Sequence, residues 1–312
     1  VPPLTLLYVP ADRPDRMRKA LDSAADVVIL DLEDAVSPAH KDQARAEVFT
    51  LLHRLTAGGV RRAVQVRVND VRGETGRTDL AVLAACAEAA RRAREEAAAG
   101  GGAPGEPVEG EAAGGEAGDG GRPWFEVRLP KVESAAQVQE VADRLPGVRL
   151  HPLLESAIGI ERAYEIASAS PAVASIALGE ADLSAELGVS DDAGLLYARS
   201  RIVVAARAAG LPAPAQSVYP RVRDLDGLRD SCLEGRRLGF LGRTAIHPAQ
   251  LPVIAEAYRP TPEEIARARE IVEAAARAEE TGTGALALPD GRFVDIAIVR
   301  AAERTLALAP PT

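Results

Sequence analysis

The chain has 312 residues, 47% of them hydrophobic and 27% charged, enough to build a large core under a solvated surface and to exclude wholesale disorder. Its 37 Lys and Arg stand against 46 Asp and Glu, a net charge of −9, and aromatics make up 3%, which argues against a nucleic-acid platform or an anionic membrane as partner. Cys86 and Cys232 lie far apart with no CxxC spacing, no apolar run approaches the ~20 residues that span a bilayer, and no signal-peptide pattern opens the sequence, so a reducing cytoplasm is the expected location.

Short β-branched or apolar runs alternate with longer amphipathic stretches almost to the end of the chain, the rhythm of repeated βα units. Strands are predicted at Leu4 to Val9, Val27 to Leu32, Ala63 to Val68, Phe125 to Leu129, Arg149 to Leu154, Val173 to Leu178, Ala215 to Tyr219 and Arg243 to Ile246. Helices are predicted between them at Arg13 to Ser23, Lys41 to Leu55, Thr78 to Ala98, Ser134 to Leu145, Gly159 to Ser168, Leu195 to Ala209, Leu225 to Leu238 and Leu251 to Tyr258. A single α/β domain, a (β/α)8 TIM barrel over residues 1–259, accounts for all of them. The Gly-, Ala- and Glu-rich stretch from Gly100 to Gly121 has almost no large apolar side chain and is expected to be a flexible acidic insertion; without a GK[ST] ending it is no phosphate-binding loop. Residues 260–312 follow as an extension: a charged helix from Thr261 to about Thr281, a Pro-Asp-Gly turn at 289–291 and an amphipathic helix from Val294 to Leu308. It is too short for an independent domain and reads as a helical lid or an oligomerisation arm packing on a neighbouring subunit.

In parallel barrels the chemistry sits at the carboxyl ends of the strands. Glu155 and Asp182 follow the fifth and sixth strands, which are neighbours, so their carboxylates can converge on one cation; two carboxylates with water or substrate oxygens is how Mg2+ is usually held. The other reading is that both favour the amino-terminal dipoles of the following helices. Arg67, alternating with Val66 and Val68 at a strand end, carries a fork suited to a substrate carboxylate, or else bridges internally to Asp31 or Glu33. Of the histidines, His40 and His53 read as surface residues. His247 either lines the site or plays a structural part, and no HxH or HExxH spacing supports zinc. The basic run from Arg13 to Lys19 at the start of the first helix suits phosphates, or is simply a solvated face.

The motifs LLYVPADRPDRMRKAL, DVVILDLEDAV, VRVN, RLPKVES, LLESAIGI, ALGEADLSAELG, GFLGRTAIHPAQ and DGRFVDIAIVRAAERTLA, in this order, resemble the citrate lyase β-subunit-like branch of the HpcH/HpaI aldolase and citrate lyase family, over nearly the whole chain outside the 100–121 insertion. The resemblance implies a TIM-barrel, Mg2+-dependent carbon–carbon lyase that joins or separates an acyl-CoA and a 2-oxo acid, of the malyl-CoA and citramalyl-CoA lyase kind. It matches Glu155 and Asp182 to the metal ligands and Arg67 to the residue that binds the substrate carboxylate. Tyr8, Arg16 and Lys19 correspond to positions used for coenzyme A. Asp295 matches a catalytic acid/base aspartate that reaches the site of a neighbouring subunit, and a homotrimer is the implied assembly. Two loops, one after Asn69 and one at Ala215 to Ser217, depart from the family pattern, so the substrate is less specified than the chemistry. A malyl-CoA thioesterase or malate synthase-like hydrolase, and a citrate lyase β-subunit dependent on an acyl-carrier protein, are the alternatives.

Overall fold

The computed structural model describes residues 2–58, 63–99, 125–281, 286–287 and 293–309. The expected insertion at 100–121 and the Pro-Asp-Gly turn at 289–291 lie outside them. The described residues from 2 to 257 form one compact unit and those from 258 onward a second.

The first unit is built on β1 (Thr5–Pro10), β2 (Val27–Asp31), β3 (Ala63–Arg67), β4 (Phe125–Leu129), β5 (Leu150–Leu154), β6 (Ala177–Leu178) and β7 (Arg243–Ala245), paired in parallel in the order β6-β5-β4-β3-β2-β1-β7. The seventh strand expected, at Ala215 to Tyr219, contracts to a single bridge: Gln216 N–H donates to the Gly242 carbonyl, and Thr244 N–H donates to the Gln216 carbonyl, both at 3.0 Å. Pro214 has no N–H to extend the pairing on one side, and on the other the Ser217 hydroxyl donates to the Leu178 carbonyl, joining the Gln216 segment to β6 through a side chain. The curled sheet is thus a TIM-like barrel closed partly by side-chain bonding.

Helices follow most strands. They are α1 (Pro14–Leu21), α2 (Lys41–Gly58), α3 (Glu74–Ala99), α4 (Ala135–Arg144), α5 (Ala157–Glu161), α6 (Ala163–Ala167), α7 (Glu180–Leu187), α8 (Leu196–Ala208), α9 (Leu225–Leu238) and α10 (Leu251–Tyr258). The helix predicted from Gly159 to Ser168 is broken at Arg162 into α5 and α6. Helix α7, which no prediction covered, starts directly after the two-residue β6 and ends on Gly188 in the left-handed conformation, φ +65°.

Alternation along the strands gives the sheet two different faces. Val28, Leu30, Val64, Val66, Phe125, Val127 and Leu129 are almost completely buried on the face turned to the helices, each contributing about 1.5–3 kcal/mol by burial. The inner face is apolar near β1 and β2, where Leu6, Val27 and Ile29 pack with Tyr8 and Ala215. Across β3 to β5 it is polar. Arg128 donates to Gln65 Oε1 (3.0 and 3.1 Å), Gln65 donates to Glu126 Oε2 (3.2 Å), and His151 lies between Glu126 Oε2 and Ser175 Oγ, 2.7 Å from each. This chain of partners satisfies groups that would otherwise be costly to bury, and the His151 bond helps hold the Glu126 carboxyl at about 2.

The second unit pairs α11 (Pro262–Thr281) with α12 (Ile296–Ala307) through Ala268, Ile271, Ala274 and Ala302, joined by Val272, Val299 and Leu306. Between them β8 (Leu286–Ala287) and β9 (Phe293–Val294) form a short antiparallel pair. Thr261 and Glu264 cap α11 reciprocally, each side chain accepting from the other's backbone N–H. Among the described residues no helix is long and apolar enough to cross a membrane.

Candidate active site

The carboxyl ends of β2 to β6 gather five carboxylates and two cations. Asp31 and Arg67 are register partners on β2 and β3, and the fork pairs bidentately: Nε to Oδ1 at 2.8 Å, Nη2 to Oδ2 at 2.6 Å. Asp31 also accepts the backbone N–H groups of Glu33 and Ala35, which ties the Leu-Glu-Asp loop back over its own strand. The remaining Nη1 edge of Arg67 faces Glu33 Oε2 at 2.8 Å and Asp34 Oδ2 at 3.3 Å. Its guanidinium lies 4.8 Å above the Tyr8 ring. These partners raise the Arg67 pKa despite burial, while burial raises the Tyr8 phenol. The internal bridge is therefore formed, and it leaves the Nη1 edge of the fork on the buried Glu33 and the exposed Asp34.

The loop after β4 delivers the second cation. Pro130 precedes Lys131, Val132 N–H donates to the Leu153 carbonyl at 3.3 Å, and a Ser134–Gln137 capping box starts α4. Held between these points, Lys131 takes φ +54°, the one left-handed non-glycine residue described, at a cost of about 1–2 kcal/mol. Its ammonium thereby lies 2.9 Å from Glu33 Oε1, 3.1 Å from Asp182 Oδ2 and 3.8 Å from Glu155 Oε2.

Glu155 ends the run after β5, and Asp182 lies in the first turn of α7. The two carboxylates expected to converge do so, on the Lys131 ammonium. Glu155 does not cap α5; Ser156 does, accepting from Gly159 N–H. Asp182 does occupy the dipole-favoured first turn of α7, the second of the two readings of the sequence. Glu155 is 7% exposed and its Oε2 accepts no hydrogen bond. It packs so closely on Gly179 that a Cβ there would lie 2.3 Å from its Cγ, so any other residue at position 179 would displace the carboxylate. Burial, with Glu33 and Asp182 nearby, pushes its carboxyl up to about 8, against the pull of Lys131 and Arg67. Burial also raises Glu33. Helix α7 is fixed by Arg199, which grips Glu180 at 2.9 and 2.7 Å and Asp192 at 3.0 Å.

A buried carboxylate oxygen without a donor, beside an excess of negative charge, suits a hard divalent cation. Among the described residues no three His, Cys, Asp or Glu side chains form a ready-made metal cluster. The fit is thus to an ion held by two carboxylates, with oxygens from water or substrate completing the shell, as Mg2+ is commonly bound.

The other expected residues fall elsewhere. Arg16 and Lys19 are exposed on α1, outside the carboxylate cluster, whereas Tyr8 is under Arg67. His247 caps a short turn by accepting from Ala249 N–H, the structural option; His40 and His53 are exposed. Asp295 belongs to the second unit, where it caps α12 by accepting from Ile298 N–H at 2.9 Å. Sequence reading missed Lys131 and the supporting Lys41, whose ammonium donates to the Leu32 and Glu33 carbonyls and to Asn69 Oδ1, each at 2.7 Å. Asn69 is held in turn by Asp79, and Asp79 by Arg45.

The chain is 35% identical to a (3S)-malyl-CoA thioesterase of Cereibacter sphaeroides, over 98% of this chain and 94% of that protein. It is 30% identical to an L-malyl-CoA/beta-methylmalyl-CoA lyase of Rhodobacter capsulatus, over 95% and 91%. Among solved structures it is similar to the protein CitE from Mycobacterium tuberculosis in complex with magnesium, acetoacetate and coenzyme A, with a TM-score of 0.72, 33% identity and coverage of 98% of this chain and 97% of that one. The model of the HpcH/HpaI aldolase/citrate lyase family matches residues 4–91 and 124–248, on either side of the insertion. With both parts of the barrel matched and relatives aligned along nearly its full length, the chain belongs to the HpcH/HpaI aldolase/citrate lyase family.

Proposed function

We propose that this chain is a Mg2+-dependent carbon–carbon lyase acting on a 3-hydroxy diacyl-CoA thioester of the malyl-CoA or citramalyl-CoA kind, with an acyl-CoA and a 2-oxo acid as products. The observation that carries the reading is the buried, donorless Glu155 oxygen beside Asp182 at the strand ends, in a family whose members include malyl-CoA lyases. Glu155 and Asp182 hold the ion. When bound there, Mg2+ supplies Lewis-acid polarisation of a 2-oxo acid's carbonyl and carboxylate oxygens.

The chain's own groups do the rest. Asp31 fixes Arg67 through Nε and Nη2, leaving the Nη1 edge to take a substrate carboxylate in place of the exposed Asp34. In cleavage the 3-hydroxyl gives its proton to solvent water, the O–H electron pair forms the new carbonyl, and the C2–C3 pair passes to the thioester as an enolate. Asp295 then protonates the enolate carbon, and in condensation removes the same proton. Tyr8, Arg16 and Lys19 serve the coenzyme A portion, the last two as exposed cations for its phosphates. The working form is a homotrimer in the cytoplasm, consistent with two free cysteines, and its partners are small molecules, with no nucleic acid or membrane.

A product assay with Mg2+ and synthetic malyl-CoA and citramalyl-CoA tests this. Acetyl-CoA plus glyoxylate or pyruvate is expected. Free CoA plus intact hydroxy diacid would instead establish the thioesterase reading, which the 35% identity to a (3S)-malyl-CoA thioesterase favours as the second possibility. Neither product set would refute both.

Arg67→Lys keeps the charge and loses the fork. It is expected to raise KM for the 2-oxo acid in condensation roughly tenfold or more, about 1.4 kcal/mol of lost binding, and to lower kcat/KM accordingly. Unchanged kinetics would restrict Arg67 to its bridge with Asp31.

A further inference from the structure

Two cations serve the carboxylate cluster, and they are held very differently. Arg67 is clamped by both oxygens of the buried Asp31 and stacked on Tyr8. Lys131 has no such clamp: its side chain is 33% exposed, and its ammonium is shared between Glu33, Asp182 and, at 3.8 Å, Glu155. Nearby Lys41 is no rival, because its three N–H donors are spent on Leu32, Glu33 and Asn69. The point where Lys131 places its charge is the point on which the two candidate metal ligands converge. A divalent ion and this ammonium would repel each other there and compete for the same oxygens.

We propose that the Lys131 ammonium is the resident counter-ion of the metal-free site, so that Mg2+ binding at Glu155 and Asp182 is an exchange in which this ammonium gives up Asp182 and swings outward. The proposal rests on the reading that those two carboxylates hold Mg2+. Two features of the chain suit the role. Without a cation at this point, Glu33 and Asp182 would flank the buried Glu155 carboxyl with Arg67 as the remaining cation among the described residues paired to the cluster, so a removable positive charge suits a metal-free site that stays formed. The left-handed backbone at Lys131 directs a long, flexible stem across the cluster from a loop anchored on both sides, so the head can leave while the loop stays in place. Lys131 is thus a positioning residue that sets metal affinity.

The test uses the full chain, stripped of metal. Mg2+ is titrated calorimetrically into the wild type, Lys131→Met, Lys131→Gln and Glu155→Ala, with thermal melting to confirm that each is folded. In parallel, wild-type Lys131 is labelled by reductive methylation with and without Mg2+, and the modification is read by mass spectrometry. Both neutral variants are expected to bind Mg2+ at least about tenfold more tightly than wild type. Labelling of Lys131 is expected to accelerate severalfold when Mg2+ is present. Equal or weaker binding in the neutral variants, while the wild type binds and Glu155→Ala does not, overturns the exchange and leaves the metal site standing. Tighter binding with no change in labelling also overturns it, because the ammonium then stays in place and acts only through space. A wild type that binds no Mg2+, or binds it equally well without Glu155, overturns the metal reading and this proposal together.

Discussion

Glu155→Ala is expected to abolish metal-dependent turnover and to lower Mg2+ affinity by more than the 10–100-fold that loss of an outer-shell partner costs, yet to leave the barrel folded. The buried carboxyl is pushed up to about 8 from its ordinary 4.5, which means the fold tolerates its charge poorly. The folded chain holds a proton that the unfolded chain has released across this interval, so the metal-free protein loses stability as pH rises from about 4.5 to about 8. Alanine removes that loss. The variant should therefore melt no lower than wild type above pH 8 while failing to bind metal, as expected of a group retained for function at a cost in stability. Asp182→Ala should act on the metal alike but change stability by only about 0.3–1 kcal/mol, the value of a half-exposed carboxylate in a first helical turn. Wild-type Mg2+ affinity should climb about tenfold per pH unit toward 8 and then level off, because the ion must displace the Glu155 proton. Calorimetric titration at several pH values checks both parts. Unchanged affinity in the two variants, or a flat pH profile, would remove these residues from the metal site.

The strands that sequence reading located well are those buried on their helix-facing side, where Val27 to Asp31 or Phe125 to Leu129 form apolar runs that little else explains. The polar residues interleaved among them were harder to interpret. Gln65, Glu126, Arg128 and His151 alternate with apolar neighbours as on a sheet with one wet face, and only closure of the barrel turns that face inward and makes them partners. The seventh expected strand failed for a backbone reason: apolar content at Ala215 to Tyr219 is adequate, but the segment makes one bridge and then spends Ser217 on the Leu178 carbonyl. Convergence of Glu155 and Asp182 was legible because neighbouring strand ends must bring their residues together. Lys131 was not. Its place in the cluster depends on a left-handed backbone that a lysine rarely adopts and that no local signal announces.

Mixing two inactive variants is expected to restore activity if Asp295 works in trans. Asp295 caps α12, and substitution by Ala would cost about 0.5–2 kcal/mol of helix stability in addition to any catalytic loss, so Asp295→Asn, which keeps a capping oxygen, is the cleaner change. Ile296 and Ile298 beside it are 65% and 38% exposed, an apolar surface next to a polar cap that suits burial against another subunit. In a closed homotrimer each site would draw Glu155, Asp182 and Arg67 from one chain and Asp295 from the next. Random hybrids of Asp295→Asn with Glu155→Ala then contain sites with an intact barrel and an intact arm about one time in four, so roughly a quarter of wild-type activity should return after subunit exchange. If each chain completes its own site, every site in every hybrid lacks one group and activity stays near zero. Native mass spectrometry of the mixture reports both the oligomer and the extent of exchange. Verified hybrids without recovery would place Asp295 in the site of its own chain or outside the chemistry altogether, and a monomeric wild type would remove the shared site itself.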